Sequence, residues 1–232
     1  MTEIVLSKRM KAIADMVRER SAADIGCDHA FVSVYLVEKG ICDRVVAMDL
    51  RKGPLSIATK NVSARGLESV IDTRLSDGFE ALKQGEAECA IIAGMGGLLM
   101  IDILKRGHVH TDAGIALVLQ PQSDIDMVRE YILSIGYRID AESMVADEGK
   151  RYTVIRAVKG GCISLDKVQL MFGPCLLEAG DEELKAYLLH CKDKNEELTE
   201  KLMKEKTSKG MARIKELKAE AELIKEALCR YY

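Results

Sequence analysis

"YRIDAESMVADEGKRYTVIRAVK", residues 137–159, contains two runs of alternating apolar and polar residues, Tyr137–Asp147 and Arg151–Lys159, joined by Glu148-Gly149-Lys150. A period of two suits strands with one buried face, and the short glycine-containing joint pairs them as an antiparallel hairpin. The chain before it has a different rhythm. Strand-like runs at Ala22–Gly26, Arg44–Asp49, Val70–Leu75, Glu88–Ala93 and Ile115–Leu119 alternate with helical patterns. The helical patterns cover Leu6–Arg20, Phe31–Lys39, Gly53–Gly66, Phe79–Lys83, a stretch entered through Gly94-Met95-Gly96-Gly97 and running to Lys105, and Asp124–Ser134. Short, nearly all-apolar strands alternating with helices predict a parallel sheet covered on both faces. The fold class is therefore α/β, with a mostly parallel sheet that ends in an antiparallel hairpin.

That ending separates two kinds of nucleotide-binding fold. Dehydrogenase Rossmann domains usually finish on a parallel strand, whereas Rossmann-like class I methyltransferases finish on an antiparallel hairpin. Residues 1–160 are expected to form the latter. Beyond Gly160-Gly161 the pattern is helical throughout, which makes 161–232 a second domain. Leu184, Leu188, Cys191, Asn195, Leu198 and Leu202 step by fours and threes, as do Ile214, Leu217, Ala221, Ile224 and Leu228. This heptad spacing, with Thr207-Ser208-Lys209-Gly210 between, predicts an antiparallel coiled-coil hairpin in which Asn195 fixes register. Two helices of an unrelated small bundle would show the same spacing.

Composition removes several classes. With 48% hydrophobic and 31% charged residues, the 232-residue chain can bury an ordinary core. Charges interrupt the amino-terminal segment, so no secretory signal is evident, and the apolar window Ala90–Leu104 is too short to span a bilayer. A cytoplasmic protein without membrane partners is expected. Seven scattered cysteines lack any C-x-x-C pair, so reduced thiols and no metal site are expected. A net charge of −3 argues against a surface that coats nucleic acid throughout.

Ligands of such sheets bind at the carboxyl ends of the parallel strands. Those ends carry Gly26-Cys27-Asp28-His29, Asp49-Leu50, Asp77-Gly78, Gly94-Met95-Gly96-Gly97 and Gln120-Pro121-Gln122. Asp49 lies about twenty residues past the first glycine, where a carboxylate suits the two hydroxyls of a ribose; a helix N-cap is its plainer role. A pyrophosphate needs bare amides and close glycine approach. The loop after Gly26 instead offers Cys27, His29 and the anionic Asp28, which favours the cationic S-adenosylmethionine over a dinucleotide. Asp77 could accept from an adenine amino group with Gly78 giving room, or simply form a turn.

The segments Leu6-Ser7-Lys8-Arg9, Ala23-Asp24-Ile25-Gly26-Cys27-Asp28-His29-Ala30, Asp77-Gly78, Gly94-Met95-Gly96-Gly97 and Leu119-Gln120-Pro121 together resemble the bacterial tRNA (adenine-22, N1) methyltransferase family over nearly the whole chain. The resemblance implies S-adenosylmethionine as cofactor, held at the loop of Gly26, at Asp49-Leu50 and at Asp77-Gly78. It implies a target adenine near Gly94-Met95-Gly96-Gly97 and tRNA as partner. Phe31-Val32-Ser33 departs from the Tyr-Leu-Pro frequent in that family, and Gln122 replaces an asparagine, which keeps the amide but moves it.

Adenine N1 attacks with an in-plane lone pair and gives a cationic base, so a carboxylate and good orientation suffice. Asp28 is the candidate for that electrostatic role. His29 could hold the donor's tail, move a proton or only bind backbone. Phe31 and Tyr152 could stack on an exposed base, although core packing is the readier job for Phe31. Between Lys201 and Lys218 seven basic residues (Lys201, Lys204, Lys206, Lys209, Arg213, Lys215, Lys218) face Glu205 and Glu216 around the hairpin tip. With Lys8, Arg9 and Lys11 they form two basic clusters suited to RNA phosphates, or solvated helix faces. A monomer acting on tRNA is the favoured reading. A methyltransferase for another RNA, and a non-catalytic nucleotide-binding scaffold with a protein-binding coiled coil, are the alternatives.

Overall fold

The computed structural model describes residues 4–161, 164–205 and 208–232. It divides into two compact units, residues 1–163 and 164–232. The first unit runs α1 (Lys8–Asp15), β1 (Ser21–Ile25), α2 (Phe31–Glu38), β2 (Arg44–Asp49), α3 (Lys52–Ser63), β3 (Ile71–Leu75), β4 (Cys89–Met95), α4 (Gly97–Arg106), α5 (His108–Asp112), β5 (Ala116–Pro121), α6 (Ile125–Ser134), β6 (Tyr137–Asp147) and β7 (Lys150–Lys159). The strands form one seven-stranded sheet in the order β3-β2-β1-β4-β5-β7-β6. β1 pairs in parallel with β2 and β4, β2 with β3, and β4 with β5. β7 lies antiparallel to β5 and to β6. The hairpin thus closes the sheet as its alternation predicts.

The central strands are apolar because both faces are covered. Every residue of β1 and β5 is buried, and Ala90, Ile91, Ile92, Leu117, Val118 and Leu119 are essentially inaccessible. Cys27, Cys42 and Cys89 join this core as small hydrophobes. Among the described residues no helix is long and apolar enough to cross a membrane.

Three expectations need correction. Helix α1 stops well short of Arg20. The amides of Met16 and Val17 turn back to Ile13 and Ala14, and the amide of Arg20 is then drawn to Glu88 at 3.1 Å, which extends the chain into β1. Phe79–Lys83 is a turn, not a helix. Ser76 Oγ donates to Gly78 O at 2.9 Å and accepts from Ala81 N at 3.0 Å, so the side chain takes the bonds a helical turn would make. Gly94 and Met95 belong to β4 rather than to a loop: the register shifts between Ala93 and Met95, and Gly94 at φ +75° forms the bulge.

The second unit contains α7 (Lys167–Phe172), α8 (Pro174–Glu178), α9 (Glu182–Glu205) and α10 (Ser208–Tyr231). Asp166 caps α7 with a full capping box. Helices α9 and α10 run antiparallel, with Tyr232 Oη donating to Asp181 O at 3.0 Å. Leu184, Leu188, Ile214, Leu217 and Ile224 are buried in their seam as the heptad spacing predicts. Toward the tip the seam thins: Leu198 is 37% exposed. The Asn195 side-chain nitrogen is buried with no hydrogen-bond partner among the described residues. The expected turn begins with Thr207, outside the described residues, whereas Ser208, Lys209 and Gly210 already belong to α10.

Candidate functional site

Strand order reverses between β1 and β4, and there the carboxyl ends of the strands open on a cavity of about 470 Å³. Its first wall is the loop from β1 to α2. Gly26 is required there for two reasons: φ is +75°, and a Cβ would sit 2.2 Å from the Met95 methyl. Asp28 and Ala30 follow with φ of 51° and 58°, so the loop winds through three left-handed residues in five. Its amides point inward. Gly26 and Cys27 both donate to Met48 O, at 2.8 and 2.9 Å, and Asp28 donates to Asp49 Oδ2 at 3.2 Å.

Asp49 ends β2 and is buried. Its other oxygen accepts from Arg51 N at 2.8 Å, so backbone amides on two loops fix the carboxylate while each oxygen keeps a lone pair for a ligand. Asp24 lies one layer deeper, on β1, with Ser33 Oγ donating to its Oδ2 at 2.6 Å. Burial raises the Asp24 carboxyl to about 6, against the Ser33 hydrogen bond and with help from the Asp49 charge. Burial also pushes the Cys27 thiol far up, which makes it an inert filler.

The opposite end of the cavity is built by Arg9, Gly94 and Gln122. Arg9 N donates to Asp147 Oδ2 at 3.0 Å, its guanidinium donates to Gln120 Oε1 at 3.3 Å, and the same group lies 5.3 Å from the Tyr152 ring centre. A Cβ on Gly94 would meet Arg9 Nη1 at 3.3 Å. Gly97 opens α4 so close to the β5–α6 loop that a Cβ would stand 2.4 Å from Ser123 O. The two loops therefore form one continuous surface.

Of the residues singled out by sequence, Gly26, Asp28, Asp49, Leu50, Asp77, Gly78, Gly94, Met95, Arg9 and Gln122 line the cavity. His29, Gly96, Gly97, Gln120, Pro121 and Lys8 do not. His29 sits on the outer side of the loop, edge-on to Phe31 at 5.7 Å. Phe31 is 37% exposed, which corrects the expectation of core packing: it opens α2 and projects beside His29. Lys204, Lys209 and Arg213 are exposed on α9 and α10, and Lys206 lies outside the described residues. Asp24, Ser76, Leu99 and Ile103 line the cavity without having been anticipated. An acid inside an otherwise apolar strand was the available signal for Asp24; the apolar residues of α4 carry none.

Four carboxylates (Asp24, Asp28, Asp49, Asp77) and two guanidinium groups (Arg9, Arg51) face the cavity. With the amides of Gly26, Cys27 and Asp28 already bonded inward, a pyrophosphate would meet more carboxylates than guanidinium groups, whereas a cation finds partners.

Comparison with known proteins agrees with this geometry. The methyltransferase domain family matches residues 6–155. The tRNA (adenine(22)-N(1))-methyltransferase of Bacillus subtilis is 33% identical, covering 98% of this chain and 99% of that one. The crystal structure of the B. subtilis m1A22 tRNA methyltransferase TrmK superposes with a TM-score of 0.85 at 31% identity, over 97% of this chain and 99% of that one. Streptococcus pneumoniae Sp1610 in complex with S-adenosyl-L-methionine gives 0.84 at 29% identity, over 97% and 100%. Similar in sequence and fold along almost its entire length, this chain belongs to the tRNA (adenine(22)-N(1))-methyltransferase family.

Proposed function

We propose that the protein methylates N1 of adenine 22 in tRNA, with S-adenosylmethionine as donor. The observation that carries this reading is the acid-lined cavity whose loop amides are turned inward, away from any phosphate. The residues present fit the donor. Asp49, held by two amides, suits the ribose hydroxyls, and Asp77 beside Gly78 suits the adenine amino group. Asp24 and Asp28 supply negative charge for the amino-acid tail and the sulfonium. The donor supplies an electrophilic methyl group, which adenine N1 accepts with its in-plane lone pair and without releasing a proton.

The protein's own task is then placement and charge. Gly94 and Gln122 leave room for a flat base beside Met95, and Arg9, backed by the Tyr152 ring, closes that end. Asp28, at the cavity wall with its side chain 59% exposed, is placed to steady the positive charge that appears on the base. His29, outside the cavity, is given no role in proton transfer. The base must leave its stack to enter. The exposed lysines and arginine of α9 and α10 (Lys204, Lys209, Arg213) and Lys8 on α1 are assigned to RNA phosphates. In domain terms, residues 1–160 carry the chemistry and 161–232 bind tRNA.

Incubation with methyl-labelled donor and unmodified tRNA transcripts tests this directly. Label should map to N1 of adenine 22 and vanish when that base is changed to guanine. Label elsewhere, or none while donor still binds, would overturn it.

A further inference from the structure

Asp77 does not stand alone at the rim of the cavity. Arg106, in the last turn of α4, grips it with two nitrogens: Nη1 lies 2.8 Å from Oδ2 and Nη2 3.1 Å from Oδ1. The paired geometry fixes the plane of a carboxylate as well as its place. Arg106 is itself held, with Nε 3.0 Å from Asp102 Oδ2 one turn earlier in α4. Glu80 approaches Nη1 at 4.0 Å. One guanidinium thus sits among three carboxylates, and without it Asp77, Glu80 and Asp102 would repel one another.

The backbone around Arg106 is equally constrained. Gly107 follows, and a Cβ there would stand 2.2 Å from the Phe79 ring, so the end of α4 is pressed onto the turn that carries Asp77 and Gly78. Ile103, one turn before, faces Gly78 at 3.2 Å from its Cβ position and lines the cavity. Phe79 in turn stacks on His110 at 5.0 Å. The turn after β3 and the end of α4 are therefore one packed assembly, in which Asp77 lines the cavity and Arg106 holds it from behind.

We infer that Arg106 is a positioning residue for the methyl donor: it orients the Asp77 carboxylate so that a remaining lone pair meets the 6-amino group of the donor's adenine. A carboxylate oxygen has two lone pairs, so the pair with Arg106 leaves one on each oxygen. An exposed ion pair by itself stabilises a fold little; its function here is direction. The same helix contributes Leu99 and Ile103 to the cavity wall, so the element that carries Arg106 is itself part of the site.

The inference rests on donor binding as proposed above, and one set of titrations separates the two. Calorimetry would compare S-adenosylhomocysteine with its analogue lacking the 6-amino group, in wild type, Arg106→Ala, Arg106→Lys and Asp77→Asn. Arg106→Ala should weaken S-adenosylhomocysteine roughly fivefold to tenfold, the scale of one misdirected charge-assisted hydrogen bond, and the deamino analogue less than about twofold. Arg106→Lys, which keeps charge but loses the fork, should recover only part of the difference. Equal weakening of both ligands, or of neither, overturns the role of Arg106. If Asp77→Asn also fails to distinguish the two ligands, the placement of the adenine falls as well. If wild type binds neither, the donor reading falls with it.

Discussion

Asp28 combines strain with exposure: φ is 51° and its side chain is 59% exposed. A glycine would hold that conformation without a Cβ penalty, so Asp28→Gly should raise stability by about 0.5–1 kcal/mol, read as a higher thermal midpoint, while lowering methyl transfer at least about tenfold. A gain in stability with full activity would remove Asp28 from the chemistry. Asp24 makes a separate prediction. Its folded carboxyl is raised to about 6, above the ordinary carboxylate range of an unfolded chain. Between those values the unfolded state has released the proton and the folded state has not, so stability falls as pH rises from about 4 to 6 and levels off above. Asp24→Asn should flatten that part of a pH series of urea midpoints. The acid was visible in Ala23-Asp24-Ile25, but its partner Ser33, nine residues on, became apparent only when α2 folded back over β1.

Among the elements, α6 and β6 share a buried ion pair. Arg129 of α6 and Glu142 of β6 meet at 2.8 Å with side chains 1% and 0% exposed. Removing one partner takes the ion pair away from a charge that stays buried, so Arg129→Met should cost about 3–5 kcal/mol. The double variant Arg129→Met, Glu142→Leu should recover much of it in chemical denaturation. Alternation in 137–159 exposed this strand to view, because a period of two survives even when half the positions are charged. It could not show Glu142 facing inward, since burial of a charge depends on a partner from another element. Phe79–Lys83 failed for a related reason: Ser76 captures the amide that a first helical turn would use. The glycine at Gly26 was legible as a turn, while the bulge at Gly94 inside β4 and the Met95 methyl filling the space beside Gly26 were not.

At the scale of the whole molecule the net charge of −3 conceals an uneven distribution. Four acids converge on the cavity, and basic residues gather where α9 ends and α10 begins. Replacing Lys204, Lys206 and Lys209 with alanine should weaken tRNA binding and lower the slope of log Kd against log salt by up to about 0.9 per lost contact. Donor affinity should be unaffected, and an unchanged salt slope would take this end of the helices out of the RNA interface. The inward-turned amides of Gly26, Cys27 and Asp28 have a consequence of a different kind. A phosphate-binding loop keeps its amides open until ligand arrives, and deuterium then enters slowly only in the complex. Here those three amides are already bonded within the protein. Their exchange with heavy water should be slow from the start and almost indifferent to ligand, so that the loop lining the proposed donor site records nothing of the binding event.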